Sequence, residues 1–191
     1  MSIENNKKLK LWELDRLSEE QFKSQAKNPL IVILDDIRSL NNIGSFFPTA
    51  DAFNIEKIYL CGITACPPHK DIHKTALGAT ETIVWEYREN IEELVQELSL
   101  QGIAICTIEQ AKKTFFLQNI SALREDKFAL IFGNEVNGVK QTIVDRSNYV
   151  IEIPQFGMID FMALILSIYH SLEYPRFILA KTSEFPDCTG K

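Results

Sequence analysis

Residues 131–139 read IFGNEVNGV, an apolar run that stops abruptly on Gly133, Asn134 and Glu135 and meets a second glycine at Gly138. In an open parallel sheet, ligands bind beyond the carboxyl ends of the strands, where a glycine lets the backbone approach a ligand closely. A carboxylate that follows can accept hydrogen bonds from that ligand. A tight strand-to-helix turn with Asn134 as the helix cap accounts for the same residues, so this stretch alone supports both interpretations.

Apolar runs of strand length alternate with helical patterns along most of the chain. LIVILDD (30–36) is a continuous, largely β-branched run, which is typical of a strand buried on both faces. The other predicted strands are KIYLCG (57–62), TIVWEY (82–87), IAICTI (103–108), FALIFG (128–133) and YVIEIP (149–154). The predicted helices span residues 43–53, 71–77, 90–102, 142–147 and 158–173. This alternation predicts an α/β fold with a mostly parallel sheet and helices on both faces.

The two ends of the chain differ from this pattern. Residues 7–27 mix charged and apolar residues at roughly helical spacing, and Ser18 followed by Gln21 fits a capping box. The last stretch has no clear period. We therefore divide the chain into an N-terminal helical extension (1–28), a main domain (29–175) and a C-terminal tail (176–191).

Composition limits the possible functions. The chain has 191 residues and a net charge of −6, which counts against a protein that coats nucleic acid by bulk charge but permits a local basic site. The N-terminus has no apolar signal region, and no apolar run is long enough to cross a bilayer. Together with four cysteines, these features favour reduced thiols in a cytoplasm and no membrane partner.

Two more predicted strands end irregularly. Asn41, Asn42 and Gly44 stand just before a predicted helix, where an asparagine also suits an N-cap. Pro154 and Gly157 follow the last strand. Three irregular ends on one side of one sheet predict a single pocket. The first strand is followed by neither a dinucleotide-binding glycine pattern nor a Walker lysine motif, which weakens a nucleotide-hydrolase or dehydrogenase interpretation.

Three motifs carry a resemblance to a known family. LNNIGSFFPTA (40–50), FGNEVNGV (132–139) and IEIPQFG (151–157) resemble the three motifs of the SpoU (TrmH) RNA methyltransferases and occur in the same order. The resemblance implies a SPOUT-type α/β fold with a C-terminal trefoil knot. It also implies a homodimer that uses S-adenosyl-L-methionine to methylate a ribose 2′-hydroxyl in tRNA or rRNA.

The same resemblance assigns roles to individual residues. Asn42 and Glu135 match the positions in the catalytic region. Cofactor contacts are expected at Thr107, Gly133, Ile153, Gln155 and Met162.

Basic residues suggest where RNA is contacted. Lys70 and Lys74 stand beside two histidines in PPHKDIHK, a combination that suits phosphate, although a solvated charged loop explains it equally well. Arg38, which precedes the first motif, is a third candidate for contact with RNA. Cys61, Cys66, His69 and His73 can also be read as zinc ligands, but Cys61 lies in a predicted strand, so we expect no metal site.

The chain departs from the family at two places. Pro48 stands where the first motif has an arginine, and proline supplies neither charge nor donor. Ala163 stands where the third motif has an asparagine, within Phe161-Met162-Ala163 in place of Ser-Leu-Asn. Either the chain is a degenerate paralogue or its reading frame shifts after about residue 157. Two functions therefore stay open: an active methyltransferase, and a catalytically impaired RNA- or cofactor-binding relative of one.

Overall fold

A sheet of parallel strands forms the centre of the computed structural model, which describes residues 18–116 and 125–153, together with residues 8, 10 and 123. The strands are β1 (Asn28–Asp35), β2 (Ile55–Cys61), β3 (Trp85–Arg88), β4 (Ala104–Ile108), β5 (Phe115–Phe116), β6 (Phe128–Phe132) and β7 (Tyr149–Glu152). The helices are α1 (Glu19–Ser24), α2 (Leu40–Ala52), α3 (Lys70–Ala76), α4 (Ile91–Leu100) and α5 (Gln141–Val144).

The strands lie in the order β3-β2-β1-β6-β4-β7-β5, and each neighbouring pair is parallel. β1 is therefore central, between β2 and β6, and all the described strands point their carboxyl ends to one edge. The predicted α/β class with a mostly parallel sheet is confirmed for the described residues. The predicted helix at 158–173, the C-terminal knot and the tail at 176–191 lie outside them.

The two faces of β1 explain its unbroken apolar sequence. Val32 and Leu34 belong to a core cluster with residues of α2 and α3, whereas Ile31 and Ile33 belong to a second cluster with residues of α4 and α5. All four side chains are at most 3% exposed, and each such burial stabilises the fold by about 1.5–3 kcal/mol. The middle of a strand covered by helices on both sides favours apolar side chains at every position.

Several predicted boundaries need correction. α2 begins at Leu40 rather than at residue 43, because the hydroxyl of Ser39 accepts the N–H of Asn42 at 3.3 Å and caps the helix. Asn42 therefore lies in the first turn, and Pro48 lies well inside the helix, as predicted. β3 begins three residues later than predicted, α5 is shorter, and the two-residue β5 was not predicted. The capping box of Ser18 and Gln21 is confirmed.

No helix within residues 18–116 and 125–153 combines the length and the apolar character needed to cross a membrane.

Gly44 allows α2 and α3 to pack closely. A Cβ on Gly44 would collide with Oγ1 of Thr75 and with the backbone carbonyl of Ile72. The hydroxyl of Thr75 also donates to the carbonyl of Asn41 at 3.1 Å, which fixes α3 against the first turn of α2. The position of α2, and with it Asn42, depends on this contact.

We expect Gly44→Ala to destabilise the protein by about 1–3 kcal/mol, because the added methyl group overpacks a backbone contact. Thermal unfolding measures this loss of stability. In the double variant with Thr75→Ala, only the part of the loss that comes from the collision with the Thr75 hydroxyl should be recovered. A Gly44→Ala variant that melts at or above the wild-type temperature would show that the two helices do not pack this closely.

Candidate active site

The loop that follows β6 closes on itself. The N–H of Asn134 donates to the carbonyl of Gly138 at 3.1 Å, and the N–H of Gly138 donates back at 2.8 Å. Oδ1 of Asn134 accepts the N–H groups of Val136 and Asn137 at 2.9 and 3.1 Å. A Cβ on Gly133 would collide with the backbone of Gly138 and Val139. The apolar strand therefore ends on a glycine because its own loop returns across that position.

Two side chains of this loop hold the segment between β1 and α2. Nδ2 of the buried Asn134 donates to the carbonyl of Asp36 at 2.7 Å. The carboxylate of Glu135 accepts the backbone N–H groups of Arg38 and Ser39, each at 3.1 Å. Residues far apart in the sequence thus meet at the carboxyl edge of the sheet.

Asn42 completes this arrangement. Its Nδ2 donates to Oε1 of Glu135 at 3.2 Å, across 93 residues of chain. This bond fixes the amide so that its oxygen remains an acceptor for another group. The structure therefore brings together the two predicted catalytic residues, and their catalytic roles remain a prediction.

The charge on Glu135 is stabilised by its donors. Burial alone would raise the pKa of this carboxyl, but the N–H groups of Arg38 and Ser39 and the amide of Asn42 together lower it. The N-terminus of α2 also favours a negative charge there. Glu135 is thus an anion at neutral pH with its oxygens already engaged, which suits a residue that orients Asn42 better than one that removes a proton.

A cavity of about 980 Å³ lies beside this loop. Its lining includes Glu109 after β4, Gly138 and Val139 in the loop, and Val150 and Glu152 of β7. Oε2 of Glu109 accepts the N–H of Val139 at 2.9 Å, and a Cβ on Gly138 would collide with the same carboxylate. This volume suits a ligand of cofactor size.

The predicted cofactor residues differ in their positions relative to this cavity. Gly133 begins the loop that lines it, and Ile153 directly follows β7 and packs against the core. Thr107 is fully buried in β4, and its hydroxyl is hydrogen-bonded to that of Ser147. Gln155 and Met162 lie outside the described residues, and cofactor binding by all five stays a prediction.

Sequence reasoning missed a charged cluster at the end of β1. Burial raises the pKa of Asp35 to about 6, against the attraction of Lys140, whose Nζ lies 3.8 Å from Oδ2. Within the described residues no group donates to Oδ1 of Asp35. The neighbouring Asp36 differs, because the N–H of Ile63 donates to it and Lys140 lies 3.1 Å away, which together lower its pKa. The sequence signal for this cluster was the pair of consecutive acids, Asp35 and Asp36, after the apolar run of β1.

The basic residues predicted to contact RNA are not gathered at Glu135. The backbone of Arg38 reaches it, and the side chain of Arg38 is exposed. Lys70 and Lys74 lie on α3 and line a separate groove. Across the part of the chain that the structure describes, no group of three or more His, Cys, Asp or Glu side chains is placed to hold a metal ion.

Sequence comparisons identify relatives of this chain. The model of the SpoU rRNA Methylase family matches residues 29–165. An uncharacterized tRNA/rRNA methyltransferase of Borreliella burgdorferi is 26% identical over 167 residues, which are 87% of this chain and 72% of the relative. The 23S rRNA (guanosine-2′-O-)-methyltransferase RlmB of Neisseria meningitidis is 25% identical over 78% of this chain, which spans only 58% of that relative.

Solved structures share the fold. The TrmH/SpoU tRNA modifying enzyme of A. aeolicus superposes with a TM-score of 0.71 at 21% identity, over 86% of this chain and 83% of that one. The AdoMet-bound rRNA methyltransferase of Sinorhizobium meliloti gives a TM-score of 0.67 at 23% identity, over 81% of this chain and 58% of that one.

We expect Asp35→Asn to stabilise the protein at neutral pH. Folding raises this pKa from 3.8 to about 6, so the group stabilises the fold fully only below pH 3.8, and this contribution is lost as pH rises through about 6. The ionised carboxylate then costs about 3 kcal/mol, which the amide removes. Thermal unfolding of both proteins should coincide near pH 4 and separate by pH 7.

Asp36→Asn is the matched control, and we expect it to destabilise the protein at neutral pH, where Asp35→Asn stabilises it. Folding lowers the pKa of Asp36, so its contribution is present at neutral pH and is lost on acidification. Its φ of 54° is left-handed, which asparagine tolerates as well as aspartate. Destabilisation by Asp35→Asn at pH 7 would contradict the burial cost assigned to Asp35.

Proposed function

The chain belongs to the SpoU rRNA methylase family, and we propose that it transfers a methyl group from S-adenosyl-L-methionine to a ribose 2′-hydroxyl of tRNA or rRNA. The observation that carries this proposal is the contact between Asn42 and Glu135, which come from two different family motifs. The name of the N. meningitidis relative, a guanosine-2′-O-methyltransferase, supports the ribose hydroxyl as the acceptor.

The cofactor is proposed to bind in the 980 Å³ cavity, which is lined by the loop that Gly133 begins. The cavity suits it in size, and its wall includes Gly138, where a Cβ would meet the carboxylate of Glu109. Bound there, the cofactor supplies a methyl group on a positively charged sulfur. The AdoMet-bound structure from S. meliloti, whose fold this chain shares, supports S-adenosyl-L-methionine as the cofactor.

Asn42 is proposed to orient the reacting ribose. Glu135 holds the amide N–H of Asn42, and the free amide oxygen can then accept the 2′-hydroxyl proton in a hydrogen bond. Orientation of this kind lowers the barrier by fixing the attacking oxygen near the methyl carbon. The cofactor, when bound, would supply the methyl group to that oxygen, and the hydroxyl held by Asn42 would lose its proton to solvent.

A second candidate function is supported by Pro48. Proline at the position of the family arginine lacks the cation that the family motif supplies, and it lies inside α2 where it also removes a backbone donor. An impaired protein that binds RNA or cofactor without methyl transfer fits this substitution. For either function we propose a homodimer, as family resemblance implies.

We expect Asn42→Ala to reduce methyl transfer about 100-fold, because one positioning contact at the reacting group is removed. The assay uses tritiated S-adenosyl-L-methionine and bulk RNA from a strain that lacks the gene. Asn41→Ala is the matched control, since Asn41 is exposed on the same turn and, among the residues that the structure describes, its side chain has no hydrogen bond whereas its backbone carbonyl accepts one from Thr75. Equal activity of the two variants would remove Asn42 from the proposed site, and no transfer by the wild-type protein would favour the second function.

We expect Pro48→Arg to increase methyl transfer if the missing cation limits activity, because a guanidinium contacts phosphate through a forked donor. Both Pro48→Arg and the control Pro48→Ala should also be stabilised by up to about 3 kcal/mol, since a helix-interior proline is removed. Methyl transfer and thermal melting separate the two effects. A variant that melts higher without any gain in transfer would assign the defect to the third motif at Ala163.

A further inference from the structure

A groove of about 670 Å³ lies between α3 and the edge strand β3, apart from the residues assigned to catalysis and to the cofactor. Its apolar lining includes Pro67, Pro68 and Trp85, and its basic lining includes Lys70, His73 and Lys74. An apolar wall edged by cations suits a ligand that has both a flat ring and a negative charge.

The charges around the groove favour an anion, although the chain as a whole carries −6. Within the described residues, Lys70 and His73 have neither a hydrogen bond nor an ion pair through their side chains. Lys74 lies 2.6 Å from Asp71 on the same helix, an exposed pair that contributes little and can be exchanged for another anion. Glu81 is the single acid among the lining residues.

His69 adds a directed donor. Its Nδ1 accepts the N–H of Asp71 at 3.2 Å, so the proton of the neutral ring is on Nε2. That N–H is available for a phosphate or a base edge. The groove thus combines lysine charge with a histidine donor whose tautomer is fixed by the backbone.

Trp85 is held in place before any ligand arrives. It pairs with Ile58 in the parallel ladder between β2 and β3, and its partly buried side chain packs against the core cluster that contains α2 and α3. A ring that is already ordered loses little conformational entropy when a base stacks on it.

We propose that this groove binds an unpaired nucleotide of RNA, with the base against Trp85 and the phosphate at Lys70 and Lys74. The inference rests on the proposed RNA substrate and adds a second contact site to it. α3 is seven residues long, about 10 Å, and Thr75 in its last turn touches the carbonyl of Asn41. A strand bound in the groove therefore lies within a short distance of the turn that carries Asn42.

Trp85 provides a direct reporter of this binding. The sequence has two tryptophans, so Trp12→Phe leaves Trp85 as the remaining one. We expect a single-stranded RNA oligonucleotide to quench Trp85 fluorescence to saturation in this variant. Lys70→Ala with Lys74→Ala should weaken binding about 10-fold and reduce the salt dependence, since two phosphate contacts are removed.

Further variants separate stacking from a general loss of structure. Trp85→Leu should weaken RNA binding about 10-fold by fluorescence anisotropy of labelled RNA, and Trp85→Phe should recover much of that loss, because a base needs an aromatic face. Lys23→Ala is the charge control, since Lys23 is also an exposed helix lysine paired with a carboxylate, Glu19, on its own helix. It should change neither affinity nor salt dependence.

The outcomes distinguish this site from the proposed function. Absence of quenching in a protein that still transfers methyl groups in an Asn42-dependent manner would overturn the groove as an RNA site and leave the activity intact. Quenching that depends on Lys70 and Lys74, in a protein without any methyl transfer, would support the groove and count against the enzymatic function. Equal RNA affinity of Trp85→Leu and wild type would also overturn the proposal.

Discussion

The site depends on the hydrogen bonds that join the loop after β6 to the first turn of α2. Asn134 holds the carbonyl of Asp36, and Glu135 holds the N–H groups of Arg38 and Ser39 and the amide of Asn42. These bonds fix the segment after β1 relative to the loop after the neighbouring strand β6. The closed loop that carries Glu135 also lines the 980 Å³ cavity with Val136, Asn137, Gly138 and Val139.

Much of this arrangement could be predicted from local sequence. The unbroken apolar run of β1 predicts a strand covered on both faces, and the structure places a separate core cluster on each side of it. The polar ends of the strands predict one edge where Asn42 and Glu135 meet. Both results follow from the pattern of apolar residues along a strand and from the parallel direction of the strands. Neither requires knowledge of distant contacts.

Other features depend on contacts that no local pattern contains. α2 begins at Leu40 because Ser39 supplies the cap, although Asn41 and Asn42 are equally good candidates in sequence. The raised pKa of Asp35 arises because neighbouring elements bury its carboxyl, and Lys140, from a distant segment 3.8 Å away, opposes that effect only in part. The sequence predicts only that Trp85 lies in a strand, and the groove that it lines is formed where α3 lies beside it. These environments result from packing between elements, which cannot be predicted from short windows of sequence.

The position of β6 beside β1 has a consequence for how the protein is made. β1 pairs with β2 soon after both are synthesised, but its other edge pairs with β6, and the bond from Asn134 to Asp36 spans 98 residues. At ribosomal rates of about 5–20 residues per second, that edge stays open for roughly 5–20 s. Throughout this interval the largely apolar β1 offers unpaired backbone groups to any other extended segment. Nascent chains of this protein are therefore most vulnerable to misassembly just before β6 emerges, and the contact between Asn42 and Glu135 forms only in molecules that have passed that stage.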